Sequence, residues 1–229
     1  SQQHNMSFSG TAGKTNYYMG LSYMGQNGVV KVNPDSYNRF SVNYSTDTEI
    51  KSWLKVRSKA LYTRTNLETP FNFNTASYDA LYYLYRWPTI MPYGTYEGEP
   101  FRNSVTETAA ANMNSDIKDY MRFSVGATFV LGIPDLTLDV DYTYNLDNQN
   151  ITQRGGTVGG WDFWSGSMSL VDNWAATARN KVDKYQYNRN YHAGNAVLRY
   201  KHTWNDAHSL NVFGGMNIEY KEVDYVNAE

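Results

Sequence analysis

Residues Met121 to Tyr144 read MRFSVGATFVLGIPDLTLDVDYTY. Met121, Phe123, Val125, Ala127, Phe129 and Leu131 alternate with Arg122, Ser124, Gly126 and Thr128. Gly132-Ile133-Pro134-Asp135 supplies turn chemistry. Leu136, Leu138, Val140, Tyr142 and Tyr144 then alternate with Thr137, Asp139, Asp141 and Thr143. A period of two puts apolar side chains on one face of a strand and polar ones on the other, so the stretch predicts a β-hairpin. Charged residues stand in the middle of the polar face, where a soluble sheet packed on both sides would not place them.

Three further pairs of runs repeat the pattern. In the first, His4, Met6 and Phe8 lead to a turn through Gly10 to Lys14, and Tyr17, Met19, Leu21 and Tyr23 return on one face. The stretch Gly13-Lys14-Thr15 looks like the end of a phosphate-binding loop, but that motif needs glycine at position 8, where Phe8 stands, and a helix rather than a strand after it. The second pair sets Phe40, Val42 and Tyr44 before a turn near Thr46 to Glu49. It returns with Leu54, Val56, Ala60 and Tyr62 against Lys55, Arg57 and Lys59, with Trp53 and Leu61 as exceptions on the polar side. The last pair sets Ala196, Leu198, Tyr200 and Trp204 against Asn195, Arg199, Lys201 and Thr203. It turns at Asn205 to His208 and returns with Leu210, Val212, Met216, Ile218 and Tyr220 against Asn211, Asn217 and Glu219.

Connections between the pairs are long: about a dozen, then roughly 50 and roughly 45 residues, which is uncommon in compact soluble domains. Short turns alternating with long loops are the pattern of an outer-membrane barrel, with periplasmic turns and extracellular loops. Runs of about 9–11 residues suit tilted strands crossing hydrocarbon. Tyr23, Tyr142, Tyr144, Trp204 and Tyr220 lie near the predicted strand ends on the apolar face, where an interfacial girdle sits. The fold class expected is therefore all-β: an antiparallel transmembrane β-barrel segment of about eight strands in four hairpins. A soluble carbohydrate-binding β-sandwich and a free-standing eight-stranded barrel remain as alternatives. The free-standing barrel requires the first and last strands to pair near Met6 and Met216.

Composition agrees with these bounds. The 229 residues carry 20 basic and 22 acidic side chains, so no electrostatic footprint for nucleic acid exists. Cysteine is absent, which excludes disulfides and thiolate metal sites. Aromatics make up 16%, with 21 tyrosines. Mean hydropathy is −0.63, a value membrane barrels reach because only alternate residues meet lipid. No apolar run approaches the ~20 residues of a membrane helix.

Several stretches resemble the SusC/RagA-type TonB-dependent outer-membrane transporters. These are the run from Asn16 to Val30 (NYYMGLSYMGQNGVV), Tyr37 to Asn43 (YNRFSVN) with the return Ser52 to Val56 (SWLKV), and, in a predicted loop, Arg86 to Tyr93 (RWPTIMPY) with Glu97-Gly98. The resemblance is in order over the first 145 residues or so and looser beyond. It implies residues 1–229 as part of one transporter barrel, an internal slice of wall without the plug and TonB-contact segment. It further implies a Gram-negative outer membrane of the Bacteroidota type, with loops extracellular. The implied partners are a SusD-like surface lipoprotein, the TonB complex through other parts of the transporter, outer-membrane lipid, and oligosaccharide or peptide cargo. Neither enzymatic activity nor a cofactor is implied.

Candidate functional residues fall into two groups. Arg57, Lys59, Arg122, Asp139, Asp141, Arg199, Lys201 and Glu219 are expected to face the lumen as cross-strand charge pairs, with Arg122 next to Asp139 and Asp141. Substrate-facing candidates lie in the long loops: Trp87, Tyr93, Tyr96, Trp161, Asp162, Phe163, Trp164 and Trp174, aromatics beside carboxylates and amides that suit sugars or peptides. The same aromatics could instead pack loop against loop. Residues 77–86 are expected to form a short helix. His4, His192, His202 and His208 show no metal-ligand spacing, and no catalytic residue is expected.

Overall fold

The computed structural model describes residues 1–29, 31–71, 92–163, 166–173, 180–205 and 207–228. In chain order the first strands are β1 (Gln2–Ala12), β2 (Thr15–Asn27), β3 (Ser36–Lys51) and β4 (Leu54–Pro70). The short β5 (Thr95–Tyr96) and β6 (Glu99–Pro100) and helix α1 (Ser104–Ala110) follow, then β7 (Met113–Val130) and β8 (Leu136–Arg154). The short β9 (Gly160–Asp162) and β10 (Ser169–Val171) precede β11 (Val182–Trp204) and β12 (His208–Ala228). The eight long strands form one antiparallel sheet in the order β1-β2-β3-β4-β7-β8-β11-β12. Sequence neighbours are thus sheet neighbours, and every short turn lies at one rim while every long connection lies at the other.

The predicted turns are present, with shifts. Gly13 takes φ +60° in the first turn, whereas Gly10 lies inside β1, paired with Tyr17. A Cβ there would come within 2.8 Å of Tyr17 Cζ, so Gly10 is the floor under that ring rather than a turn residue. β3 runs on past the expected turn to Lys51, with a register irregularity between Glu49 and Lys51, and the chain reverses at Ser52-Trp53. Trp53 is consequently not a polar-face residue. Its ring stacks on Phe129 of the apolar face, centroids 6.5 Å apart. Asp135 and Asn205 take the positive φ that close the other two turns, 62° and 51°.

Register carries the two faces unbroken across the sheet. One line of partners runs Phe8, Met19, Tyr44, Ala60, Phe123, Tyr144, His192 and Tyr220. A line of opposite parity runs Asp47, Arg57, Gly126, Asp141, Asn195 and Asn217. A one-residue slip anywhere would exchange the faces, so the pattern specifies the pairing.

A water-soluble core is not built on either face. The chain exposes 14699 Å², against roughly 10,600 Å² for a compact soluble protein of this mass. Buried hydrophobic residues among those described are Ala111, Val158 and Ala193, while Met6, Phe8, Phe123, Met216 and Ile218 stand open on the apolar face. The large strands form a single sheet, which argues against the sandwich. β1 and β12 are its two edges, and among the described residues no ladder joins them, which argues against the free-standing eight-stranded barrel.

The strands are longer than the sequence pattern predicts. β8, β11 and β12 have 19, 23 and 21 residues, well beyond the ~9–11 that cross hydrocarbon. Past Tyr62, Met121, Leu146, His192 and Tyr220 the formerly apolar face continues as Arg64, Asp119, Asn148, Asn190 and Glu222. Tyr142, Tyr144 and Tyr220 therefore sit mid-strand, not near strand ends. They gather around His192: Tyr142 Oη lies 2.8 Å from His192 Nδ1, the Tyr144 and His192 rings are 4.8 Å apart, and Tyr144 Oη donates to Asn190 Oδ1 at 3.0 Å. Trp204 belongs to the opposite, short-turn rim, edge-on to His202 at 4.5 Å. Two aromatic levels thus bracket the apolar belt, as at the two interfaces of a membrane barrel.

Candidate functional site

All eight charged candidates share the polar face, because their register partners share its parity. The network is centred where β4, β7, β8 and β11 run side by side. Arg57 Nη2 lies 3.3 Å from Asp141 Oδ1, and its Nη1 donates to Thr128 Oγ1 at 3.0 Å. Thr128 in turn donates to Asp139 Oδ1 at 2.5 Å, and Arg199 Nη1 reaches Asp139 Oδ2 at 3.1 Å. Gly126 makes this possible: a Cβ at that position would collide with Asp141 Oδ1 and lie 3.2 Å from Arg57 Nη2. Arg122, expected beside the two aspartates, instead donates to Asn145 Oδ1 at 3.0 Å, because register sets it opposite Asn145, four residues along β8 from Asp141. Lys59 stands opposite Ser45 and Ser124, Lys201 opposite Asn211, and Glu219 opposite Ala193. Both aspartates are engaged by guanidinium groups. This is the arrangement of a cross-strand ion-pair ladder rather than of a general acid–base pair.

The long connections build a second structure at the other rim. Asn103 caps α1, accepting from the Thr106 N–H at 2.9 Å and donating to the Phe101 carbonyl at 2.9 Å. At the helix C-terminus Asn33, from the β2–β3 connection, donates to the carbonyls of Thr108 (3.0 Å) and Ala111 (2.7 Å). The β8–β11 connection joins through a parallel bridge between Phe101 and Trp161. Arg102 lies between two carboxylates, 2.9 Å from Asp162 and 3.6 Å from Glu107. Asn103, Glu107, Ala111 and Val158 are buried here. Three connections are therefore joined into one cap with buried residues of its own.

The loop aromatics divide accordingly. Trp161 donates its Nε1–H to the Tyr96 carbonyl at 2.8 Å, and the Tyr96 ring meets it edge-on at 5.6 Å. Phe163 packs on Phe101 at 5.9 Å, and Asp162 holds Arg102. Tyr96, Trp161, Asp162 and Phe163 thus tie loop to loop. Tyr93 is 77% exposed and stands clear of that packing. Trp87, Trp164, Trp174 and the helix expected over residues 77–86 lie outside the described residues.

Sequence reasoning passed over the polar face beyond the tyrosine level. There Asp147 Oδ2 accepts from Arg189 at 3.4 Å and pairs with Lys118 at 3.2 Å, and the Arg189 guanidinium lies 5.4 Å from the Tyr187 ring centroid. Tyr187 opposes Tyr225, rings 4.8 Å apart. A signal was available in Lys184 to Tyr191 (KYQYNRNY), where Tyr185, Tyr187, Arg189 and Tyr191 recur every second residue.

A sheet with a girdled apolar face, a charge-paired polar face and one capped rim is a stretch of outer-membrane β-barrel wall. No known protein-family model matches the chain. Among curated proteins it is similar to TonB-dependent receptor P39 of Formosa agariphila, 23% identical over 223 residues, covering 95% of this chain and 19% of that protein. Among solved structures it superimposes on a chain of the RagAB peptide transporter and on one of the RagAB peptide importer in its closed-closed state. Both give a TM-score of 0.67, at 17% and 18% identity, over 99% of this chain and 25% of theirs. The chain thus spans about a fifth to a quarter of these relatives, and its fold is that of the matching barrel segment of the RagAB transporter chains.

Proposed function

We propose that this chain forms part of the barrel wall and outer cap of a TonB-dependent importer in a Gram-negative outer membrane. The observation that carries the reading is the register itself. It keeps one face apolar and the other polar through eight strands, with short turns gathered at one rim and long connections at the other. The polar face lines the lumen. The short turns are periplasmic, and the cap faces outward, where a SusD-like lipoprotein and cargo of glycan or peptide fragments meet it. The plug and the TonB-contact segment belong to other parts of the same transporter. The likeness to a TonB-dependent receptor and to the RagAB structures supports this assignment.

The intact protein, expressed in a Gram-negative host and probed with protease on whole cells, tests it. The expected result is recovery in the outer-membrane fraction and cleavage confined to the three connections between β2 and β3, β4 and β7, and β8 and β11. Uptake of cargo should cease when the inner-membrane proton gradient is collapsed. Recovery in the soluble fraction, or cleavage of intact cells at Gly132 to Asp135, overturns the reading.

A further inference from the structure

We propose that the polar face of β11 and β12 beyond the tyrosine level is a binding wall for an extended, electrically neutral peptide, with Tyr187 and Tyr225 as its platform and Tyr185 and Tyr191 as flanking contacts. The proposal rests on the importer reading and names its cargo class.

Spacing is the first argument. Tyr185, Tyr187, Arg189 and Tyr191 share the polar face at steps of two residues, about 6.6–6.8 Å each. An extended peptide running alongside β11 has the same step, so every second side chain meets one member of the ladder without loss of register. A pyranose chain has no unit of that length.

The platform is the second argument. Tyr187 and Tyr225 are register partners whose rings are 4.8 Å apart at 33°, and Tyr225 remains 52% exposed. Two adjoining rings present a broad apolar surface, suited to stacking with an apolar side chain of the peptide. The guanidinium of Arg189 lies over the Tyr187 ring at 5.4 Å and limits its movement.

Charge is the third. Lys118 and Arg189 both converge on Asp147 Oδ2, and Gln149 donates to both oxygens of Asp116 at 3.0 Å. The cations Lys118 and Arg189 are matched by the anions Asp116 and Asp147, Lys181 pairs with Asp183 at 3.0 Å, and Lys221 shares its face with Glu219 of the same strand, so the charges of the wall balance and present little net field to draw a charged ligand. Amides and hydroxyls remain to meet a peptide backbone: Gln149 lies opposite both Tyr187 and Lys118, and Lys118 lies opposite Thr65.

The test uses the intact protein in detergent, immobilised, with two probes: a randomised library of uncharged decapeptides and a pool of neutral hexa- to decasaccharides. Retention is read by mass spectrometry. The wild type should retain peptides, and the double variant Tyr187→Ala/Tyr225→Ala about tenfold less, the loss expected for two stacking rings. Tyr187→Phe/Tyr225→Phe should retain them nearly as the wild type, and Trp53→Ala at the opposite rim should change nothing. Heat-modifiable migration on SDS gels verifies that each variant is folded. Equal peptide retention by wild type and the double alanine variant, no peptide retention by either, or loss of saccharide rather than peptide retention overturns the proposal. Failure of the importer reading appears in fractionation and protease accessibility, which these outcomes do not affect.

Discussion

Placing arginine at Ala196 or at its neighbour Asn195 separates the membrane reading from every soluble one. Ala196 shares the apolar face with its partners Val140 and Met216, and Asn195 shares the polar face with Asp141 and Asn217. Both lie at nearly the same height. Ala196 is four residues from His192 of the aromatic level, which is about 13 Å along the strand and about 10 Å of depth at a tilt near 40°. An arginine presented to lipid close to the midplane costs about 2–4 kcal/mol, or about 30-fold to several hundred-fold in the folding equilibrium. An arginine at Asn195 faces the charge ladder beside Asp141, where a change within about 0.5 kcal/mol is expected for a surface substitution. The assay is equilibrium unfolding of the intact protein in lipid vesicles, followed by tryptophan fluorescence and gel mobility. In cells, Ala196→Arg should deplete the outer-membrane protein while Asn195→Arg leaves its level near wild type. Equal cost for the two variants, or a larger cost for Asn195→Arg, refutes the assignment of faces. If the apolar face met water, Ala196→Arg would be nearly neutral.

Two further outcomes follow from the ion pairs. Arg102→Ala removes the cation held between Glu107 and Asp162, whose side chains are only 5% and 17% exposed. Breaking a buried pair costs about 3–5 kcal/mol, so limited proteolysis should cut residues 92–112 far faster while the sheet keeps its global unfolding midpoint. In contrast, Asp141→Asn touches a pair whose side chains are 37% and 45% exposed. The expected loss is below about 1 kcal/mol, and a drop above about 2 kcal/mol in vesicle unfolding would show that the polar face is far drier than a water-filled lumen.

The hairpins, the face of each strand and the alternation of short with long connections were legible in the sequence, because lipid and water on opposite sides impose a period of two. That signal stops where its cause stops. Beyond His192 and Tyr220 both faces are wet, so the apolar alternation of the lipid-facing side stops there and the tyrosines of Val182 to Tyr191 recur on the opposite face, leaving the sequence pattern well short of the strand ends. Tyr185, Tyr187 and Tyr225 were overlooked for the same reason, though tyrosines at every second position marked one face. Turn chemistry placed Gly13 and Asp135 correctly but misplaced Gly10, since a glycine under an aromatic ring and a glycine in a turn read alike.

By itself, then, the sequence determined which side chains share a face and where the chain reverses, which are local consequences of strand geometry and solvent contact. Only the tertiary structure decided which of those side chains meet. Arg57 rather than Arg122 holds Asp141 because cross-strand register, summed through three strands, sets the pairing. Asn33 closes a helix that begins about seventy residues further on, because the hydrogen bonds of Thr108 and Ala111 must end somewhere and the folded cap brings that amide to them. Such contacts depend on distances through space that no local pattern encodes.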